Sequence, residues 1–219
     1  NRPLAAELIS GARALTAAAA LAAAGLVGSW LLDPLTGLLC SAYVAVNVLY
    51  SLRLKRVPIL DLGCLASGFV LRAFAGATVI AVPISRWLVL CSIFLALFLG
   101  ITKRRQEITA LKGQAERHRA VLGEYSVAFL DHMNGILAAA TLVGYTLYTV
   151  DGDTVARFGT DALVFTVPVV LYGIFRYLYV IHQKGLGASP TDTLFRDGPL
   201  ASSVLLWVLV VWLVLYGVG

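Results

Sequence analysis

The sequence predicts an all-α membrane protein, a polytopic bundle of transmembrane helices. Hydrophobic residues make up 59% of its 219 positions and charged residues 13%, with a mean hydropathy of +0.86, far from the balance of a soluble domain. The formal net charge is +5, but the basic residues lie beside apolar runs, where membrane topology and lipid phosphate explain them. We therefore expect membrane lipid as a partner and no nucleic acid.

Seven apolar runs are long enough to cross a bilayer as helices, which takes about 20 residues. They cover residues 11–32, 35–52, 59–82, 86–102, 127–149, 160–182 and 198–217. Turn signals separate them, among them Asp33-Pro34 and Asp151-Gly152-Asp153. No repeat or shift in composition divides the chain, so we predict one transmembrane domain, 1–219, with a polar connection at 103–126.

Lysine and arginine are distributed unevenly between the two sides of the predicted bundle. Twelve belong to one set of alternate loops, and only Arg86 and Arg157 belong to the other. Loops rich in lysine and arginine stay in the cytoplasm. The asymmetry predicts an integral membrane protein whose functional site faces the cytoplasm.

The region from 103 to 131 interrupts this apolar sequence with mixed charge. It contains ten of the 29 charged residues, six basic and four acidic. Lys103, Arg104 and Glu107 stand at its start, and Lys103 and Glu107 share a helical face because they are four residues apart. The mixture favours a polar site at the membrane surface.

Ionisable residues inside predicted spans are costly and are functional candidates by default. Arg72 lies four residues from Gly68 and from Gly76, so we expect it to face the bundle interior, with Asp61 on nearly the same face. A purely structural role remains open, in which carbonyl groups or Asp61 satisfy the guanidinium.

Two other spans carry polar stripes toward the basic side. The stripes are Tyr43, Asn47 and Tyr50, which lead to Lys55, and Tyr172, Arg176, Tyr179 and Gln183, which lead to Lys184. Cations beside an apolar interior suit a phosphorylated lipid, although the same residues would also enforce topology. Asp192 and Asp197 are either turn residues or polar partners of these cations.

Four ordered blocks carry a family resemblance. They are YSLRLKRVPILDLGCLASGFVLRAFAGA, ITKRRQEI, HRAVLGEYSVAFLD and FRYLYVIHQKGLGASPTDTLFRDGPL, and they resemble the UbiA prenyltransferase superfamily in its decaprenyl-phosphate phosphoribosyltransferase branch. That fold has nine helices and an NDxxDxxxD motif, which an NRP-like segment follows in this branch. Asn1-Arg2-Pro3 resembles that segment. The resemblance implies an N-terminally truncated chain that holds helices three to nine, with the first metal motif upstream of Asn1.

The resemblance implies transfer of a 5-phosphoribosyl group from phosphoribosyl diphosphate to a polyprenyl phosphate of the decaprenyl type. The product would serve cell-wall arabinan synthesis in a bacterial cytoplasmic membrane, with magnesium as cofactor. KRRQE stands where prenyl-transferring relatives have a second Asp-rich motif. Two alternatives remain open: transfer of a prenyl group to an aromatic acceptor, and an anion or lipid-phosphate transporter.

Residue roles follow from this assignment. We expect Lys103, Arg104 and Glu107 to be catalytic at the donor site, with Glu107 also a possible metal ligand. Substrate-binding residues are predicted at Tyr50, Lys55, Asp61, Arg72, Arg119, Tyr125, Arg176 and Lys184. Of these, Arg72 and Arg176 are assigned to phosphate.

Overall fold

The computed structural model describes residues 10–110, 123–184 and 190–217, and within these ranges the chain is helical with no strand. The helices are α1 (Gly11–Leu32), α2 (Pro34–Leu52), α3 (Leu60–Val79), α4 (Arg86–Ala110), α5 (Val127–Val150), α6 (Gly152–Phe158), α7 (Val167–Gln183), α8 (Pro190–Arg196) and α9 (Gly198–Tyr216). Short 3₁₀ helices cover Leu54–Arg56 and Ala162–Thr166. Seven of the segments are long and apolar enough to cross a membrane, which confirms the predicted bundle.

Side-chain caps explain where several helices begin. Asp33 accepts a hydrogen bond from the backbone N–H of Thr36 at 2.8 Å and is followed by Pro34, whose fixed φ suits a first helical turn. Ser126 caps α5 in the same way, and Asp197 caps α9. Gly159 ends α6 in a left-handed conformation with φ of 70°.

Helix α4 is longer than its apolar run. Hydropathy predicts an end at residue 102, whereas the helix continues to Ala110. The charged KRRQE segment therefore forms the last turns of a helix, and Arg104 and Arg105 find carboxylate partners from that position. The short helices α6 and α8 were also not predicted, because neither is long enough to give a hydropathy signal.

Neighbours in sequence are neighbours in space along most of the bundle. Helices α1 to α5 pack in order, α7 packs against α9, and the α4–α5 contact is the most extensive. Small residues permit this contact: a Cβ on Gly144 would lie 3.5 Å from the backbone of Cys91. Thr102 and Asn134, both fully buried, exchange hydrogen bonds across the same pair of helices.

The hydrophobic core lies toward one end of the bundle. We call this the basic end, because it carries the described residues 53–59, 103–110, 123–126, Lys184 and 190–197. Core side chains come from α3, α4, α5, α7 and α9, and they include Leu62, Phe98, Leu130, Tyr177 and Leu200. Helix α1 contributes almost nothing to the core, since nearly all of its residues are exposed.

The α4–α5 contact generates a stability prediction. Gly144→Leu should lower the melting temperature in detergent, because a branched side chain has to displace the α4 backbone at a cost of about 1–3 kcal/mol. Gly144→Ala should be tolerated, because its Cβ would meet Cys91 at ordinary contact distance. Gly135→Leu is the matched control on the same helix, since nothing lies within 4 Å of its Cβ position. Equal melting temperatures for the two leucine variants would contradict the assignment.

Candidate functional site

A buried ion pair joins α3 to α4 at the basic end. Arg104 is 3% exposed and Asp61 is fully buried, and Arg104 Nε donates to Asp61 Oδ2 at 3.0 Å. A buried charge is tolerated only when it is paired and its remaining hydrogen-bonding positions are filled. The sequence-based suggestion that Asp61 pairs with Arg72 is therefore wrong, since Arg104 takes that carboxylate.

Tyr125 is the hydrogen-bond partner of the second carboxylate oxygen of Asp61. Its hydroxyl donates to Asp61 Oδ1 at 2.9 Å and accepts the backbone N–H of Ile59 at 2.5 Å. Burial, with the Asp61 hydrogen bond adding to it, raises the pKa of Tyr125 to about 12, so the hydroxyl remains a donor at neutral pH. Because both hydrogen bonds point inward and the residue is buried, Tyr125 positions Asp61 and does not line an open surface.

The backbone of Ile59, immediately before α3, has an unusual conformation that its hydrogen bonds maintain. Its φ is +67°, in the left-handed region that a β-branched residue rarely enters. Such a conformation costs about 1–3 kcal/mol and persists only where neighbours enforce it. Here the N–H bonds Tyr125, and the carbonyl accepts from the first turn of α3 at Gly63.

The remaining donors of Arg104 reach two further residues. Its Nη1 donates to Glu107 Oε2 at 2.9 Å, and its Nη2 lies 3.5 Å from the Tyr50 hydroxyl on α2. Glu107 therefore pairs with Arg104 and not with Lys103, although Lys103 shares its helical face. The side chain of Glu107 is 32% exposed, so it is the carboxylate of the cluster that solvent or a ligand reaches.

A second ionic cluster lies next to the first at the basic end. Arg105 donates to Asp131 on α5 through a short hydrogen bond, and His182 Nε2 on α7 lies 3.2 Å from the same carboxylate. The cluster thus ties the ends of three helices together.

A third cluster is centred on Asp197, immediately before α9. Arg176 forms a bidentate ion pair with it at 2.9 Å, Lys184 Nζ donates to it at 2.9 Å, and the N–H of Leu200 adds a capping bond. These partners hold the pKa of Asp197 well below its usual range, with Arg176 the largest cause. Asp197 is thus both a helix cap and the partner of the predicted cations.

Two lysines that the sequence predicted as site residues have no carboxylate partner among the described residues, unlike Arg104, Arg105 and Arg176. Lys103 is exposed and Lys55 is half-buried, and neither forms an ion pair with a carboxylate in the described part of the chain. Lys184 is 39% exposed and shares Asp197 with Arg176, so two cations there face one anion. Arg119 lies outside the described residues.

The prediction that Arg72 faces the bundle interior is wrong in this structure, because its side chain is exposed. Its guanidinium lies over the rings of Phe69 and Tyr43, 4.7 and 5.4 Å from their centroids. Aromatic faces stabilise a cation without a carboxylate. Gly68 instead gives room to Tyr43, whose ring lies 3.5 Å from its Cβ position.

Sequence reasoning missed the polar stripe of α5. Asp131, Asn134, Thr141 and Tyr145 recur at intervals of three, seven and four, and each forms a hydrogen bond within the bundle. Polar side chains at helical spacing inside an apolar span indicate an inward face. This spacing was visible in the sequence and would have selected Asp131 and Asn134.

The described residues do not by themselves form a magnesium site. They contain no group of three or more histidine, cysteine or acidic residues that could hold a metal ion. Asp61 Oδ1 and Oδ2 both have partners inside the protein. Glu107 is the accessible carboxylate of the first cluster, and one ligand does not make a site.

Comparison with known proteins gives a consistent assignment. The chain is 28% identical to decaprenyl-phosphate phosphoribosyltransferase of Mycobacterium tuberculosis strain H37Rv over 209 residues, covering 94% of this chain and 67% of that protein. It is also 28% identical to the proteins of that name from Mycolicibacterium smegmatis and Corynebacterium glutamicum, covering 67% and 65% of them. The chain thus spans about two thirds of the length of these relatives.

The family comparison agrees with the helical architecture. Residues 1–195 match the UbiA prenyltransferase family, and that range contains six of the seven spanning segments together with the first two ionic clusters. The names of these relatives, together with the family match, support the conclusion that this chain is a transferase. The chain is an integral membrane protein and belongs to the UbiA prenyltransferase family.

Proposed function

We propose that this protein transfers a 5-phosphoribosyl group from phosphoribosyl diphosphate to a polyprenyl phosphate at the basic end of the bundle. The observation that carries the proposal is the division of cations in and beside the three clusters: carboxylates hold Arg104, Arg105 and Arg176, while Lys103 and Lys55 have no carboxylate in the described ranges. Similarity to the three phosphoribosyltransferases supports the substrates. The excess of lysine and arginine at this end supports a cytoplasmic orientation.

The donor has negative charge to neutralise, and the first cluster is suited to it. Lys103 is exposed one residue before Arg104, and Glu107 is partly open beside it. Lysine ammonium groups bind phosphate as mobile point charges. We assign Lys103, with Lys55 from the α2–α3 segment, to the diphosphate, while Arg104 and Asp61 set the position of the helix ends that present them.

The acceptor requires an apolar space next to a cation. A cavity of about 510 Å³ lies among α4, α5, α7, α8 and α9, with Leu194 and Leu200 in its wall. These two leucines flank Asp197 in sequence, where Arg176 and Lys184 leave one net positive charge. We assign the isoprenoid chain to this cavity and the lipid phosphate to Lys184.

The reaction forms a bond between a lipid phosphate oxygen and the anomeric carbon of ribose, while the bond from that carbon to the diphosphate breaks. Positive charge develops on the sugar and negative charge on the leaving group, so nearby cations favour the transition state. The attacking phosphate is already ionised, and no proton has to be removed from it. This agrees with the described part of the proposed donor site, where Lys103 is exposed and Lys55 and Glu107 are half-buried.

Magnesium is part of the proposal as a companion of the diphosphate. When bound, it would neutralise diphosphate oxygens, and Glu107 is the described carboxylate at the first cluster able to contribute one ligand. A role of the product in cell-wall arabinan synthesis is proposed on the family resemblance of the sequence alone.

Product formation tests the proposed reaction directly. Purified protein in detergent, given radiolabelled phosphoribosyl diphosphate, a polyprenyl phosphate and magnesium, should transfer label into the lipid phase. Addition of a chelator should stop the transfer, and restored magnesium should recover it. Absence of labelled lipid, or label from a prenyl diphosphate in an aromatic acceptor instead, would reject the phosphoribosyl reaction.

The donor site can be tested with Lys103→Ala and Glu107→Gln. Each should lower kcat/KM for the donor by about 10- to 100-fold, because a charge-assisted contact is worth about 1.5–3 kcal/mol. Their melting temperatures should stay near that of the unaltered protein, since Lys103 is exposed and glutamine still accepts from Arg104. Arg53→Ala, an exposed cation at the same end, is the matched control. If both variants behave as Arg53→Ala does, the donor lies elsewhere.

The structural role of Arg104 can be separated from donor binding by unfolding experiments. Arg104→Ala should destabilise the protein by about 3–5 kcal/mol, because it leaves Asp61 charged and buried. Arg105→Ala should cost less, because its partner Asp131 is partly exposed. Asp61→Ala combined with Arg104→Ala should recover part of the loss. Arg104 would instead be a substrate contact if Arg104→Ala lowered donor affinity at unchanged stability.

A further inference from the structure

The end of the bundle opposite the basic end contains a cavity of about 650 Å³. One wall is the face of α3 formed by Val70, Ala73, Phe74 and Ala77, and the other is the start of α4 around Leu88 and Val89. Helix α6 covers the outer end. A space of this size and composition is typical of a small-molecule or lipid site, and it is separate from the ionic clusters described above.

The outer end of this cavity is polar. Ser85 and Thr154 lie in its wall, and the hydroxyl oxygen of each is buried with no hydrogen-bond partner among the described residues. Thr154 is only 3% exposed. A buried hydroxyl without a partner costs about 1–3 kcal/mol, so these two groups favour a ligand that supplies hydrogen bonds.

Two opposite charges stand at the same end. Asp153 and Arg157 lie four residues apart on α6 and both line the cavity, yet the structure shows no ion pair between them. Arg157 is oriented by a hydrogen bond from its Nη1 to the carbonyl of Pro83 at 2.8 Å, and its other donors have no carboxylate partner in the described ranges. A positive and a negative group therefore face the mouth of an apolar groove.

We propose that this cavity binds a phospholipid with a zwitterionic, primary-amine headgroup, of the phosphatidylethanolamine type. Arg157 would hold the phosphate and Asp153 the ammonium group, with hydroxyl donors from Ser85 and Thr154 near the phosphate. One acyl chain would lie against the α3 face at Ala73 and Phe74. Both rim charges are then matched, whereas a phosphatidylglycerol headgroup leaves Asp153 without a cation.

Lipid titration of delipidated protein, followed by native mass spectrometry, tests this site without any measurement of activity. The unaltered protein should bind phosphatidylethanolamine about fivefold or more tightly than phosphatidylglycerol, because of one additional charge-assisted contact. Asp153→Asn should abolish that preference, and Arg157→Gln should weaken both lipids about tenfold. Controls are Asp161→Asn and Arg86→Gln, which remove the same charges from exposed residues outside the cavity.

Two further variants keep the result interpretable if a charge variant folds poorly. Ala73→Phe fills the apolar part of the groove and should weaken both lipids while both headgroup contacts stay in place. Thr154→Val should leave the melting temperature in lipid-free detergent unchanged or higher, because it removes an unpartnered hydroxyl. Equal affinity of the unaltered protein for the two lipids would overturn the proposal. So would variants at Asp153, Arg157 and Ala73 that bind as the controls do.

Discussion

The buried ion pair between Arg104 and Asp61 is the interaction on which the basic end depends. Taking two such charges out of water costs several kcal/mol per ion, and this protein offsets that cost with three further hydrogen-bonding groups, from Tyr50, Glu107 and Tyr125. The Ile59 N–H in turn donates to the Tyr125 hydroxyl. The strained backbone at Ile59, the start of α3 and the end of α4 are thereby fixed relative to one another. A helix end that projects beyond its apolar run keeps its direction because Arg104 anchors it from inside.

The arginines of the three clusters differ in role from Lys103 and Lys55 because the chemistry of the two side chains differs. A guanidinium presents several donors in a rigid plane and suits permanent bidentate pairing, as Arg176 shows with Asp197. An ammonium on a flexible stem is better suited to meet a substrate phosphate that arrives and leaves. In the described chain the arginines of the three clusters are held by carboxylates, and Lys103 and Lys55 are not. This separation allows the helix ends to be held rigidly while Lys103 and Lys55, the lysines proposed to meet the donor diphosphate, keep mobile ammonium groups.

The sequence predicted the spans well because hydropathy over about 20 residues is a local property. The sequence also selected Asp61, Arg104 and Tyr125 as candidate site residues, but it did not predict that they contact one another. Arg104 is 43 residues from Asp61 along the chain and Tyr125 is 64, and contacts at such separations leave no local pattern. Arg72 was placed wrongly, because the rule that membrane charges face inward takes no account of two aromatic rings beside it. The end of α4 was missed because the hydropathy of the sequence falls after residue 102, whereas the last turns of the helix are supported by the ion pairs of Arg104 and Arg105.

Three buried side-chain hydroxyl oxygens have no hydrogen-bond partner among the described residues, and all three line cavities. Ser85 and Thr154 lie in the wall of the cavity opposite the basic end, and Tyr177 lies in the wall of the apolar cavity under α8. Each unpaired group lowers stability by about 1–3 kcal/mol. A ligand that binds only the folded bundle offsets this loss of stability, because its binding shifts the folding equilibrium toward the folded state. Lipid at these two cavities, as proposed above, would contribute to the folding free energy as well as to function, and stability in detergent would then depend on which lipids remain bound.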